Sequence, residues 1–135
     1  MIEHKTQVRV RFAETDQMGV VYHSNYFVWF EIGRTSLLRE AGLPYTKLEE
    51  SGILLPVVTA QCDFLKSAKY DDVLTIHTRM EEKPRARIRL DYRVTNEKDE
   101  ELATGFTIHS FIRRDGKPVR PPENFRNIMA PHFPD

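Results

Sequence analysis

The sequence predicts an α+β fold, a five-stranded antiparallel sheet wrapped around one long helix. Three observations carry this expectation. Four segments from Val57 onward alternate apolar and polar residues with the period of two that gives a strand one buried face. One segment, about 24 to 41, repeats its apolar residues at helical spacing. The order is strand, helix, then four strands joined as a meander by short turns, which favours an antiparallel sheet with the helix on one face.

The first strand is read from Val8, Val10 and Phe12, alternating with Gln7, Arg9 and Arg11. The next eight residues, Ala13 to Val20, read as a loop in which Gly19 can take backbone angles closed to other residues. Ser24 or Asn25 can cap the helix that follows, without a capping box, because Phe27 stands three residues after Ser24. Tyr26, Phe30, Gly33, Leu37 and Ala41 share one helical face. Phe27, Trp29 and Ile32 extend the apolar surface to other faces, so the helix is expected to be enclosed. Gly42 and Pro44 end it. The later strands are marked by Val58, Ala60, Cys62 and Phe64; by Leu74, Ile76 and Met80; by Ile88, Leu90, Tyr92 and Val94; and by Leu102, Phe106, Ile108 and Ile112. Arg113 to Gly116 reads as a turn, and a short helix is expected from Pro121. An open sheet leaves edges that a second chain can cover, so a homo-oligomer is expected.

Composition fits one domain over residues 1–135, with 40% hydrophobic and 30% charged residues. Lys+Arg and Asp+Glu are both 20, so no net charge argues for a nucleic-acid or anionic-membrane partner. Cys62 is the sole cysteine, which excludes an intramolecular disulfide and a thiolate metal cage and fits the cytoplasm. The opening MIEHKTQVRVRF lacks the apolar core of a secretory signal, and no apolar run approaches the ~20 residues of a membrane-spanning helix. No secretory signal and no integral membrane segment are therefore expected.

The chemistry concentrates between Arg11 and Gly42. Asp16 lies in a glycine-containing loop just before a helix, and His23 comes seven residues later at the helix start. Free backbone N–H groups and the positive end of the helix dipole should stand close to that carboxylate. Such a pairing suits acyl transfer: the donors polarise a carbonyl and hold its oxyanion, while the carboxylate attacks or activates water.

The motifs D-x-x-G-x-V-Y-H-x-x-Y (Asp16, Gly19, Val21, Tyr22, His23, Tyr26), W-x-E-x-x-R (Trp29, Glu31, Arg34) and L-R-x-x-G (Leu38, Arg39, Gly42) resemble the 4-hydroxybenzoyl-CoA thioesterase family, in particular its YbgC-like acyl-CoA thioesterase branch. The resemblance runs from about Val8 to about Ile112. It implies a hot-dog fold, dimers joined edge to edge and often paired into tetramers, and hydrolysis of acyl-CoA at a subunit interface without metal or cofactor. The family's catalytic aspartate maps onto Asp16. Its carbonyl-polarising N–H maps onto His23, whose side chain also belongs to the site in that branch.

Blander readings stand beside these. Asp16 is also a good turn residue, and Tyr22 and Tyr26 are packing residues if they do not line an acyl pocket. Glu31 is a rival carboxylate, read here as an ion pair with Arg34 at i+3. Ser24 is a cap rather than a nucleophile, since no G-x-S-x-G elbow exists. Cys62 reads as an inert core thiol. Arg85, Arg87, Arg89 and Arg93 form a basic stripe on a solvated sheet face, from which Arg87 and Arg89 are candidate contacts to the CoA phosphates. His77 and His109 are strand residues without ligand duty, and no H-x-x-x-H metal motif occurs. Two rival functions share the fold: an acyl-thioester hydratase or dehydratase, which would use Asp16 and His23 as a proton-transfer pair, and a non-catalytic acyl-CoA-binding protein.

Overall fold

The computed structural model describes residues 1–134. The elements run β1 (Ile2–Arg9), a 3₁₀ turn (Phe12–Glu14), α1 (Asn25–Glu40), α2 (Tyr45–Glu50), β2 (Ile53–Leu54), β3 (Val57–Phe64), β4 (Val73–Met80), β5 (Arg87–Thr95), β6 (Glu101–Ser110), β7 (Ile112–Arg113), α3 (Glu123–Met129) and a 3₁₀ turn (Ala130–His132). The main sheet has five antiparallel strands in the order β1-β4-β5-β6-β3, and β2 pairs with β7 in a short separate ladder. The α+β class and the five antiparallel strands are as the sequence predicts.

The strand order differs from the expected meander. Only β4-β5-β6 follows one. β3 crosses to the far edge and pairs with β6, while β1 pairs with β4. Alternation tells which residues of a strand face inward but not which strand lies beside it. The crossing segment is held on its way by the loop before α1, where the Val21 N–H donates to the Ala68 carbonyl at 2.9 Å.

The first strand also lies earlier than the apolar residues suggest. β1 begins at Ile2 and ends at Arg9, and Phe12 stands 76% exposed in the 3₁₀ turn. Its inward positions include His4 and Thr6, which carry no apolar signal. His4 Nε2 meets Ser36 Oγ of α1 at 2.9 Å, so the helix supplies the polar partner that makes His4 tolerable there.

α1 has 16 residues and buries Tyr26, Trp29, Phe30, Gly33, Leu37 and Leu38. Phe30 stacks on Tyr92 of β5 with ring centroids 4.2 Å apart. Gly33 sets the closeness of helix and sheet: a Cβ there would collide with Thr78 Oγ1 and stand 3.0 Å from Ile76 Cγ2. The expected full enclosure of the helix is not met in one chain, since Phe27, Val28 and Ile32 stay 37–47% exposed. The side chain of Ser24 makes no capping hydrogen bond. Asn25 closes the helix start instead, its amide donating to Glu14 O at 2.9 Å and Tyr22 O at 3.2 Å. Gly42 ends the helix at φ +98°, as expected of a left-handed stop.

Arg34 does not pair with Glu31. Its charge instead acts inward, on the buried Tyr92 phenol and His109 imidazole. From there the donors are fixed by the far end. His109 Nδ1 lies 3.1 Å from the Leu55 carbonyl, which can only accept, so Nδ1 carries the proton. Burial and then the Arg34 charge hold His109 down at about 4, so it is neutral and its Nε2 accepts, from Thr107 Oγ1 at 2.9 Å. Thr107 in turn accepts from Tyr92 at 2.6 Å. A directed chain of hydrogen bonds therefore runs through the core from Tyr92 of β5 to the segment that leads into β3.

Candidate active site

The loop before α1 folds as a tight hairpin. Thr15 and Val21 form an antiparallel bridge, the Asp16 N–H donates to Val20 O at 2.9 Å and the Tyr22 N–H donates to Glu14 O at 2.9 Å. Gly19, at φ +78°, closes it with an N–H bond to Asp16 O at 3.0 Å. Glycine is required there because other side chains are strained at that angle.

Asp16 sits at the base of this hairpin. Its Oδ1 accepts the Met18 N–H at 2.8 Å and the Val20 N–H at 3.4 Å. Its Oδ2 has no hydrogen-bond partner among the described residues. Asp16 thus does serve as a turn residue, but with one oxygen only.

Asp16, Tyr22, His23 and Tyr26 line one cleft of about 390 Å³, together with Phe64 and Lys66. The imidazole of His23 packs against Tyr22 at 4.3 Å and lies 6.1 Å from the Phe64 ring. Tyr26 meets Phe64 at 5.2 Å and Trp29 at 4.9 Å, both edge to face. Burial, with Cys62 adding a smaller push, raises the Tyr26 phenol to about 12, so it stays protonated. The Asn25, Tyr26 and Phe27 N–H groups are spent on Tyr22 O, His23 O and Ser24 O. The His23 N–H donates to no acceptor among the described residues. Two residues that line the cleft, Asp16 and His23, thus each carry a polar atom without a partner among the described residues, and an imidazole and aromatic rings stand with them.

Phe64 reads only as a strand residue, and Leu65 and Lys66 are not singled out in the sequence. They are more than 40 residues from Asp16 and arrive by the β3 crossover, which no local motif signals. Glu14 was missed as well. It is 5% exposed, accepts the Arg11 N–H at 2.7 Å through Oε1, and accepts Trp29 Nε1–H at 3.2 Å through Oε2.

Arg87 and Arg89 are not brought to this cleft within the chain. They lie on the exposed face of β5, where Arg89 pairs with Asp91 at 3.1 Å and covers the Phe106 ring at 4.0 Å. At the end of the same stripe, Arg85 lines a cavity of about 500 Å³ with Arg120, Arg126 and Phe133. That cavity is larger than the Asp16 cleft, but no carboxylate lines it among the described residues. Glu31 is exposed beside Ser36 and Arg39, away from Asp16. Cys62 is half-buried on β3, and burial raises its thiol to about 11. Among the described residues no cluster of His, Cys, Asp or Glu has the makings of a metal site, and no helix is long and apolar enough to cross a membrane.

Comparison with known proteins agrees with this fold. The thioesterase-like superfamily model matches residues 10–129. The acyl-CoA thioesterase YneP of Bacillus subtilis, so named provisionally, is 45% identical over 58% of this chain and 56% of its own. The acyl-CoA thioesterase YbgC of Haemophilus influenzae is 39% identical over 64% of this chain and 65% of its own. The aligned stretch thus spans less than two thirds of the length of either relative. The solved structure of a DHNA-CoA thioesterase from Staphylococcus aureus superposes with a TM-score of 0.85 at 38% identity, covering 89% of this chain and 81% of that one. With a hot-dog sheet, the motif loop at its mouth and a superfamily match over nearly its whole length, the chain belongs to the thioesterase-like superfamily.

Proposed function

We propose that this chain hydrolyses an acyl-CoA thioester to a carboxylic acid and CoA. The observation that supports the proposal is that Asp16, whose Oδ2 has no partner among the described residues, and His23, whose N–H has none, line one cleft. The thioester carbonyl oxygen is taken by the His23 N–H, where the start of α1 adds its dipole. Asp16 Oδ2 then attacks the carbonyl carbon, expelling the CoA thiolate and leaving an anhydride for water to open. Alternatively it takes a proton from a water that attacks directly. Either route yields one acid and one thiol. Tyr22 and Tyr26 wall the acyl group, and the His23 imidazole assists beside them.

Arg87 and Arg89 are assigned the CoA phosphates, with Arg85 and its cavity at the end of their stripe. Because they stand off the cleft of their own chain, they would serve the cleft of a neighbouring copy. A second copy also suits β3, an edge strand exposed along most of its length, including Val57, Val58 and Phe64. The proposed assembly is a dimer or tetramer, and the proposed compartment is the cytoplasm, where acyl-CoA is found.

The test is thiol release from short, long and aromatic acyl-CoAs. Release from at least one supports the proposal. No release from any, with loss of enoyl absorbance from a 2-enoyl-CoA, would replace it with a hydratase.

A further inference from the structure

We infer that Glu14 is a positioning residue for this chemistry, a buried carboxylate that sets where Asp16 stands relative to the start of α1. The inference rests on the proposed role of Asp16 and goes beyond it. Glu14 lies two residues before Asp16, at the base of the hairpin. Both of its oxygens accept N–H groups from different parts of the chain, Arg11 before the loop and Trp29 within α1. Its backbone carbonyl accepts two more, from Tyr22 N–H at 2.9 Å and the Asn25 amide at 2.9 Å. One residue thus joins the segment entering the loop, the residues leaving it and the first two turns of the helix. Through Trp29 it also reaches the cleft wall, because the Trp29 ring packs against Tyr26 at 4.9 Å.

A carboxylate is needed here for a geometric reason. Two acceptors must face two N–H donors at once. Glutamine offers one acceptor and turns an NH₂ toward the other donor, leaving a buried mismatch. Loosening the clamp lets Asp16 drift from the helix-start N–H groups. A misplacement near 1 Å costs on the order of 100-fold in rate.

The experiment uses the full chain as wild type, Glu14→Gln, Trp29→Phe and the double variant. Two readouts are taken: kcat and KM on an acyl-CoA, and hydrogen exchange of the Met18 and Val20 amides that bond Asp16. The expected result is a kcat roughly 10- to 100-fold lower in each single variant, with KM within about threefold and the double variant no worse than the worse single. Exchange of the two loop amides should quicken at least tenfold while β4 and β5 amides hold. Unchanged loop exchange in folded Glu14→Gln would overturn the inference, as would strictly multiplicative losses in the double variant. A wild type that releases no thiol refutes the thioesterase proposal instead. The exchange result still decides whether Glu14 holds the loop. If Glu14→Gln fails to fold, Trp29→Phe, which removes the N–H at one end of the clamp and part of the buried indole with it, decides by whether the loop amides quicken while β4 and β5 hold.

Discussion

Acidification should destabilise this protein through His109. In the folded chain His109 is fully buried, and burial followed by the charge of Arg34 lowers it from 6.5 to about 4. Its folded pKa lies below the unfolded one, so the unfolded chain binds the proton first. Stability is therefore complete above about pH 6.5 and falls as the pH drops toward 4. The two pKa values give a loss of about 2 kcal/mol by pH 5 and about 3 kcal/mol by pH 4. That is a large part of a total stability on the order of 5–15 kcal/mol. His77, lowered by burial and then by Arg93, adds in the same direction. Glu100, held low by Lys66, and Asp115, held low by the Lys117 N–H, lose their contributions only at still lower pH. Urea midpoints followed by circular dichroism from pH 7.5 to 4.5 read the effect. His109→Gln should be weaker at pH 7.5 yet lose most of the slope between pH 6.5 and 5. A wild-type midpoint that stays flat over that interval, or a slope that survives intact in His109→Gln, would refute the reasoning.

The remaining predictions concern packing, thiol reactivity and the phosphate contacts. Gly33→Ala should lower stability by about 1–3 kcal/mol in urea titrations despite the better helix propensity of alanine, because the new methyl meets Thr78 and Ile76. Gly105→Ala should cost at least as much, since its methyl would strike the Gln61 backbone carbonyl, which cannot swing away, and stand 2.8 Å from Phe30. Cys62, with its thiol at about 11, should react with an aromatic disulfide at pH 8 roughly 100-fold slower than a free cysteine; labelling at the free rate would contradict the burial that raises it. Arg87→Ala with Arg89→Ala should raise KM for an acyl-CoA several-fold and leave a pantetheine thioester, which lacks the nucleotide phosphates, unaffected. Equal changes on both substrates would remove these arginines from the phosphate assignment.

The class of the fold was legible because its signals are local. Ile88, Leu90, Tyr92 and Val94 announce an inward strand face, and Tyr26, Phe30, Gly33 and Leu37 announce a helix face, whatever surrounds them. The strand order was not legible, because the placement of β3 beside β6 depends on pairings between residues far apart, such as Cys62 with Gly105. β1 hid for a related reason. His4 faces inward only because Ser36, 32 residues away, receives it. The site divides in the same way. Asp16, Tyr22, His23 and Tyr26 belong to one motif and share one cleft. Phe64 and Lys66 enter it only through the crossover, and Glu14 gains its partner Trp29 only when the hairpin folds onto α1. The expected Glu31–Arg34 pair shows the limit of helical spacing as a guide. A cation at i+3 is available to its neighbour, but the charge of Arg34 acts on the interior groups Tyr92 and His109 instead.

The most direct measurement of the central claim is thiol release by wild type and Asp16→Asn on the same acyl-CoA. Asparagine keeps the oxygen that accepts from Met18 and Val20, so the loop stays closed and only the attacking carboxylate is lost. The account predicts measurable turnover in the wild type and a loss of at least about 100-fold in kcat in Asp16→Asn, with an unchanged urea midpoint. Turnover within a few-fold of wild type in Asp16→Asn would contradict it.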